Sequence, residues 1–188
     1  MKSESIIFRF FGRVFRYTIT IRETAKRKGM PMENATFDFP LKAYVDGAWV
    51  DGGVGYGFVI LDRSSIIAER SESVPKGPWA DSRQVGGELL AMMAVLAWCE
   101  ERSVPEITVF YDYEGIRSWA VGEWKANKEI TRTYVGEMRR CSVKVHWVKV
   151  KSHSGDRYND RVDRLAKDGA AGISYYWVEE THREADRG

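Results

Sequence analysis

The sequence predicts an α/β fold, a mixed five-stranded sheet flanked by helices and preceded by an N-terminal extension. Three observations support this prediction. Short runs of alternating or continuous apolar residues indicate strands, and longer runs with apolar residues three and four positions apart indicate helices. These runs follow each other in the order β-β-β-α-β-α-α-β-α, which is typical of a sheet with helices packed on it. The chain has 188 residues, of which 44% are apolar, enough for one full core.

The N-terminal extension, residues 1–40, is predicted to contain a β-hairpin and a linker. Residues 14–22 alternate apolar and polar side chains, which is the pattern of a half-buried strand. Phe11-Gly12 offers a turn into it from a strand at 6–10. An amphipathic helix over the same residues is the alternative. The polar, proline-containing stretch that follows indicates a linker, so the main domain begins near Leu41.

The main domain, residues 41–172, is predicted to begin with an antiparallel meander, because turn-forming VDGG and DRSS segments separate three strand-like runs. A long amphipathic helix and a short, wholly apolar strand follow, and such a strand suits a sheet covered on both faces. Residues 173–188 form a C-terminal tail whose aromatic residues are expected to pack. The predicted strands are 42–50, 54–62, 65–73, 107–112 and 142–150, and the predicted helices are 81–102, 114–121, 127–140 and 156–171.

The composition argues against several classes of protein. No apolar stretch is long enough to cross a bilayer, and Arg interrupts the first apolar residues, so we expect neither a membrane segment nor a secretion signal. Cys99 and Cys141 are too few for a disulfide framework. We therefore expect a cytoplasmic protein with both thiols in or near its core. The net charge is only +2, but basic residues are concentrated in 1–37 and 117–153.

Two acidic residues occupy positions where an apolar residue is expected. Asp46 lies on the same strand face as Tyr44 and Ala48, and a carboxylate there loses hydration unless a cation meets it. A strand-end Asp that bonds the following turn is an equally good account of it. Glu88 opens the long helix at the head of its apolar stripe. The helix dipole explains an acid in the first turn but not its place on the apolar face.

Two further acids lie on other predicted elements. Asp112 ends the apolar strand, and ligands gather at the C-terminal ends of strands in α/β sheets. A simple turn-forming Asp is the common alternative. Asp163 lies on the last helix, at the border of its buried side. Asp156 and Asp160 point further out and are interpreted as solvated helix charge.

These four carboxylates would repel each other in one cleft unless a divalent metal neutralised them. Carboxylate oxygens suit Mg²⁺ or Mn²⁺, and no Cys/His spacing favours zinc. Two such ions, about 4 Å apart, would hold a phosphodiester and activate a water for its hydrolysis. No small-molecule cofactor is expected.

Four segments resemble the motifs of type 1 ribonuclease H. They occur in the family's order and span about residues 41–171. The resemblance implies a ribonuclease H-like fold and endonucleolytic cleavage of the RNA strand of RNA–DNA hybrids, with Mg²⁺ or Mn²⁺ and a 5′-phosphate product. The segments are YVDGA around Asp46, GGELLAMMAVLAW from Glu88, VFYDYEGIRSWA around Asp112, and VKVKSHSGDRYNDRVDRLAK around His153 and Asp163.

The resemblance also implies roles by position. Asp46, Glu88, Asp112 and Asp163 would be the ligands of two metal ions, with Asp46 bridging both. His153, on a Ser/Gly segment, would be a mobile histidine that assists proton transfer or product release. Imidazole suits this role because it takes and gives a proton near neutral pH.

At several positions where the family contacts its substrate, this sequence carries different residues. The long basic insertion of some bacterial relatives is missing, so hybrid affinity is expected to rest on other basic residues. Gln84 stands where many relatives carry a phosphate-contacting Asn, and Trp124 lies near an aromatic of the DNA-strand channel, although packing explains Trp124 equally well. The Gly86-Gly87 backbone is expected to approach the RNA. The substrate contacts predicted in this way are Gln84, Gly86, Gly87, Trp124, Lys125 and Lys128.

Two other functions stay open. The chain could be a module that binds hybrid or double-stranded RNA without cleaving it, although four converging carboxylates would repel phosphate. It could also be a domain that serves a larger replication or reverse-transcription assembly. The extension, residues 1–40, is compatible with an added edge strand, a dimer contact or an auxiliary nucleic-acid surface. We favour an element packed on the main domain, because Phe and Ile predominate on one face.

Overall fold

The computed structural model describes residues 2–10, 13–21, 40–151 and 155–178, the first two ranges by their backbone alone. Strands β1 (Lys2–Phe10) and β2 (Arg13–Ile21) pair antiparallel as a separate two-stranded sheet. The predicted hairpin is confirmed over the alternative helix. The predicted turn at Phe11-Gly12 and most of the predicted linker lie outside the described residues.

The main sheet is mixed. Its central strand pairs antiparallel with the strand after it and parallel with β6, the strand that follows the long helix. The strand order is β7-β6-β3-β4-β5-β8. These strands are β3 (Leu41–Val50), β4 (Gly53–Asp62), β5 (Ser65–Ser73), β6 (Glu106–Tyr111), β7 (Lys144–Lys149) and β8 (Tyr175–Val178).

Helices cover both faces of this sheet. The apolar residues of β3 and β4 alternate between a large core under the long helix and a smaller one under the last helix. A mixed sheet flanked by helices, as predicted, is therefore confirmed. The helices are α1 (Pro78–Asp81), α2 (Gln84–Glu101), α3 (Gly115–Ala120), α4 (Glu129–Arg140) and α5 (Arg157–Ala170).

The large core lies between the sheet and α2, α3 and α4. Val45 and Phe58 face it from the sheet, and Leu89 and Val95 face it from α2. Cys99 is buried here and Cys141 is half-buried, both as free thiols, as expected. The smaller core places α5 on the opposite face, against Tyr44 and other residues of β3 and β4. Helices α2 and α5 therefore enclose the central strands from opposite sides.

The sheet has six strands where the sequence predicts five. The additional strand, β8, comes from the predicted tail, pairs antiparallel with β5 and forms the edge of the sheet. A strand of only four residues, such as β8, has too little periodicity to be identified from the sequence. Its pairing partner, β5, lies about 100 residues earlier in the chain. The four-residue helix α1 is likewise too short to show a periodicity, and the sequence does not predict it. No helix in the described part of the chain is long and apolar enough to cross a membrane.

The prediction for Asp156 is wrong. Its carboxylate is not a solvated helix charge but the cap of α5, where it accepts hydrogen bonds from the backbone N–H groups of Tyr158 (2.8 Å) and Asn159 (3.1 Å). The Tyr44 hydroxyl also donates to it at 3.1 Å. Asp156 thus connects the start of α5 to the central strand, two residues before Asp46.

Candidate active site

Asp46 and Glu88 meet because β3 and α2 approach unusually closely. A Cβ on Gly47 would lie 2.3 Å from the backbone nitrogen of Glu88 and 2.6 Å from the carbonyl oxygen of Gln84. Only glycine permits this contact. The Gly47 N–H donates to Asp46 Oδ1 at 2.8 Å, which fixes the carboxylate beside the first turns of α2.

Asp112 completes a cluster of three carboxylates. It follows directly after β6, the parallel neighbour of β3, so its side chain leaves the sheet at the same edge as Asp46. Asp46, Glu88 and Asp112 each offer one oxygen, and these three atoms lie within 4.8 Å of one another. Asp46 and Asp112 are half-buried and Glu88 is only 3% exposed. Three acids from separate elements thus share one small volume.

The negative charges of the clustered carboxylates repel one another, and burial removes the water that would screen them. Burial, followed by the negative charges of Asp112 and Asp163, raises the pKa of Asp46 from its usual 3.8 to about 7. Burial and the charges of Asp46 and Asp112 raise the pKa of Glu88 well above its usual range. The Asp46 and Glu88 carboxyl groups are close enough to share a proton, which lowers the pKa of Asp46 and raises that of Glu88. Without a cation, the site therefore holds protons near neutral pH.

The residues present fit a divalent metal ion. The donors are all carboxylate oxygens, the ligand type that Mg²⁺ and Mn²⁺ prefer. Glu88 Oε2 is buried and has no hydrogen-bond partner in the described part of the chain. A buried oxygen without a partner is costly unless a cation or proton satisfies it. This orphaned oxygen, beside two other acids, is what a metal ligand requires.

Asp163, the fourth predicted ligand, lies on α5 and is not one of the carboxylates that meet within 4.8 Å. Its negative charge is one of the causes of the raised pKa of Asp46. Lys167, one turn further on, donates to Asp163 Oδ2 at 2.7 Å. This ion pair was not predicted, although the four-residue spacing of opposite charges on a helix is a recognisable signal.

His153 lies outside the described residues, which resume at Gly155 after a gap at 152–154. Its role therefore stays a prediction. In the sequence, residues 152–154 lie between β7 and the Asp156 cap of α5.

The comparison with known families decides what kind of protein carries this cluster. The family model described as RNase H matches residues 40–171, from the residue before β3 to the end of α5. The chain belongs to the ribonuclease H family. Membership supports a nuclease, and the acidic cluster lies within the matched region.

Curated relatives of the family are similar over most of their length. Ribonuclease H of Neorickettsia sennetsu is 32% identical over 148 residues, covering 70% of this chain and 93% of that protein. Ribonuclease H of Pseudoalteromonas atlantica is 29% identical over 149 residues, covering 71% and 92%. The chain is thus similar to nearly whole ribonuclease H proteins.

Solved ribonuclease H structures have the same fold. RNase H1 of Halobacterium salinarum superimposes with a TM-score of 0.58 at 19% identity, over 71% of this chain and 99% of that one. LC11-RNase H1 in complex with an RNA/DNA hybrid superimposes with a TM-score of 0.55 at 18% identity, over 70% and 97%. The ribonuclease H-like fold predicted from the motifs is therefore confirmed.

The structure explains in another way why glycine occupies the two positions that are predicted to contact RNA. Gly86 and Gly87 are buried, and their N–H groups donate to the Arg83 carbonyl oxygen at 3.0 and 3.4 Å. A Cβ on Gly86 would lie 1.9 Å from the Trp79 carbonyl oxygen, and one on Gly87 would lie 2.4 Å from that of Gly55. Close packing of α2 against its neighbours requires these glycines.

The other predicted substrate contacts are all exposed. Gln84 is the first residue of α2, close to Gly47 and hence to the cluster. Trp124, Lys125 and Lys128 lie between α3 and α4. Trp124 makes an edge contact with Trp119, with ring centroids 5.3 Å apart, yet remains 43% exposed. Packing on Trp119 thus leaves much of the Trp124 ring accessible.

Proposed function

We propose that the chain is an endoribonuclease that hydrolyses the RNA strand of RNA–DNA hybrids. The observation that carries the proposal is the cluster of Asp46, Glu88 and Asp112, with its orphaned buried oxygen, inside a domain of the ribonuclease H family. One relative by fold, LC11-RNase H1, is known in complex with an RNA/DNA hybrid, which supports the same substrate class for this chain.

Asp46, Glu88, Asp112 and Asp163 would hold the metal, Mg²⁺ with Mn²⁺ as the alternative. Two ions, when bound, would position the scissile phosphate, lower the pKa of a water and stabilise the leaving oxygen. Asp46 would be the ligand shared by both ions, as its place in the first motif of the resemblance implies, and the charges of both Asp112 and Asp163 act on it. Asp163 would exchange its ion pair with Lys167 for this role.

The remaining residues of the proposed mechanism bind substrate and move protons. His153 would take or give a proton near the cleaved bond or assist the release of a 5′-phosphate product. Gln84, Trp124, Lys125 and Lys128 would contact the hybrid, and the two lysines would neutralise phosphates. The catalytic domain would span residues 41–172, with residues 1–40 and 173–188 as flanking segments.

The test is a cleavage assay on end-labelled RNA–DNA hybrid, RNA duplex and DNA duplex, each with Mg²⁺, Mn²⁺ or EDTA. We expect internal cuts in the RNA of the hybrid, none in DNA duplex, and none in EDTA. Tight binding to the hybrid without cleavage at any Mg²⁺ or Mn²⁺ concentration would instead favour a binding module.

His153 has its own test. His153→Ala is expected to slow cleavage by about 10²-fold without abolishing it, because general acid–base groups contribute about 10²–10⁴. The loss should affect kcat more than KM. Complete loss would make His153 as essential as a metal ligand, and no loss would remove it from the mechanism.

A further inference from the structure

A deep apolar groove lies apart from the acidic cluster. Its volume is about 620 Å³, and residues of strands β4, β5 and β8 and of helices α1, α2 and α4 line it. This volume is typical of cavities that hold a ligand. We call it the α2–α4 groove. Its lining is largely apolar and aromatic and includes Phe58, Trp79, Leu90, Met93, Trp98 and Ile130.

The α4 side of the groove carries a buried acid. Glu137 lines the groove, is only 5% exposed, and forms an ion pair with Arg140 through Oε1. Its second oxygen, Oε2, is buried and has no hydrogen-bond partner among the described residues. Such an oxygen is costly until a donor satisfies it. The groove therefore suits an occupant that combines apolar groups with a cation.

The N-terminal hairpin has a face of this composition. The register of β1 and β2 pairs Ile6 with Tyr17 and Phe8 with Phe15, and paired residues of an antiparallel ladder share one face. Alternation along each strand places further apolar residues on that face. Its apolar positions include Ile6, Phe8, Phe10, Phe15, Tyr17 and Ile19.

The charged positions of the hairpin divide between its two faces. The apolar face has Lys2 and Glu4 at its open end and Arg13 at the end where the turn begins. The opposite face has Arg9 and Arg16 among serines and threonines, and it suits water. A two-stranded sheet is marginally stable by itself. Because the hairpin pairs with no strand of the main sheet, its apolar face is the surface that needs a cover.

The groove is within reach of the hairpin. Phe58, in the groove lining, pairs with Val45 of β3, and Leu41 begins that strand about 13 Å before Val45. The connecting residues 22–40 span up to about 70 Å when fully extended. A tether of this kind gives an effective concentration on the order of mM. Docking within one chain therefore requires only a modest affinity.

We propose that the N-terminal hairpin docks its apolar face into the α2–α4 groove of its own chain, with Arg13 as the cation that meets Glu137. The polar face, with Arg9 and Arg16, stays in water. Docking covers two apolar surfaces at once and satisfies a buried oxygen. It is a packing interaction of face on groove and adds no strand to the main sheet. This interaction is independent of the proposed activity.

The test measures protection of the β1 and β2 backbone amides from hydrogen exchange in the full chain. Docking should protect them, because an undocked hairpin opens readily. Thr133→Trp fills the groove from an exposed lining position on α4. Arg139→Trp is the matched control, because Arg139 is exposed on the same helix and does not line the groove.

Two substitutions in the hairpin compare its faces. Phe15→Ser changes the apolar face, and Val14→Ser, the control, changes the opposite face. Thr133→Trp and Phe15→Ser are expected to lower the protection of these amides about tenfold, and both controls should stay within about twofold of the wild type. Protection in the wild type should not depend on protein concentration, because the contact lies within one chain.

The charge pair has its own variants, Arg13→Gln and Glu137→Gln. Each is expected to lower protection a few-fold, and the double variant should lower it no further than either single one, because both remove the same interaction. Additive losses would overturn the pairing of Arg13 with Glu137. These variants decide the question even if Thr133→Trp unfolds the domain.

Unprotected hairpin amides in the wild type would overturn the proposal. Unchanged protection in Thr133→Trp, with the Tm of the wild type, would also overturn it. Protection that rises with protein concentration, together with a doubled mass in light scattering, would assign the apolar face to a second copy of the chain and overturn docking within one chain. Cleavage enters none of these measurements, so their outcome is separate from that of the proposed function.

Discussion

Glu69 and Glu88 are two acidic side chains of this domain that are almost fully buried, and the charges around them differ. Glu69, on β5, is 6% exposed, and Arg161 on α5 donates two hydrogen bonds to it at 3.0 and 2.7 Å. Glu88, on α2, is 3% exposed, and its charged neighbours are two further acids, Asp46 and Asp112.

The difference distinguishes Glu69, a structural acid, from Glu88, which fits the metal ligand that we propose. Burying a carboxylate costs several kcal/mol unless a cation and hydrogen bonds compensate it. At Glu69 the fold supplies that cation permanently. At Glu88 it supplies more negative charge and leaves Oε2 without a partner in the described part of the chain. The buried oxygen of Glu88 can be satisfied by a cation or a proton from solution, and a bound cation is what we propose.

The largest expected difference between the two acidic sites is catalytic. Asp46→Asn should lower the cleavage rate at least about 10³-fold, because loss of a bridging ligand removes several kcal/mol of transition-state stabilisation. Glu69→Gln, the matched control, should cleave within a few-fold of the wild type. The measurement is the initial rate on labelled hybrid at saturating Mg²⁺. Near wild-type activity in Asp46→Asn would mean that the cluster is not the active site.

The close approach that builds the acidic cluster can be broken at one glycine. Gly47→Ala should destabilise the protein by about 2–3 kcal/mol, because its Cβ would overlap the backbone of α2. Gly136→Ala is the control, since a Cβ on Gly136 of α4 would meet nothing within 4 Å. It should be neutral or stabilising by up to about 1 kcal/mol. Urea unfolding measures both, and equal effects would contradict the packing argument.

Removing the charge of Asp46 and removing that of Glu69 should change the free energy of unfolding in opposite directions. The folded-state pKa of Asp46 is raised from 3.8 to about 7, so stability present below pH 3.8 is lost as the pH rises through 7. In EDTA at neutral pH, Asp46→Asn should therefore stabilise the protein by about 2 kcal/mol. Glu69→Gln should destabilise it by about 1–3 kcal/mol, because Arg161 loses its partner.

The pH dependence of the free energy of unfolding tests whether the pKa of Asp46 is raised. Metal-free wild type should lose stability between about pH 4 and pH 7, and Asp46→Asn should show a flatter profile over that range. Parallel profiles for the two proteins would show that Asp46 carries no raised pKa.

The rise in stability on metal binding should be the smallest of these effects. At a Mg²⁺ concentration ten times Kd, a ligand of the folded state adds about 1.4 kcal/mol, or a few degrees in Tm. We expect this rise in the wild type and in Glu69→Gln but not in Asp46→Asn. A rise of the same size in Asp46→Asn would locate the bound ion elsewhere on the protein.

Much of the fold could be predicted because periodicity reports local burial. The strand 107–112 was predicted from its apolar run, and β6 occupies Glu106–Tyr111. Glu88 stands out in the sequence because it lies at the head of an apolar stripe, and it is buried. The sixth strand was missed because its pairing with β5 joins residues about 100 positions apart. Asp156 was misinterpreted because a helix cap is defined by backbone N–H groups that the pattern does not reveal.

By itself, the sequence determined which residue types lie on which faces of which elements, since side chains repeat every two residues in strands and every 3.6 in helices. It thereby identified the acids in unexpected apolar positions, and the order of its motifs identified the family. Only the tertiary structure decided which acids meet. Asp46, Glu88 and Asp112 converge because Gly47 lets α2 approach β3 and because β3 and β6 are parallel neighbours. The pair between Arg161 on α5 and Glu69 on β5 likewise depends on packing, because contact between elements is set by where their backbones can approach.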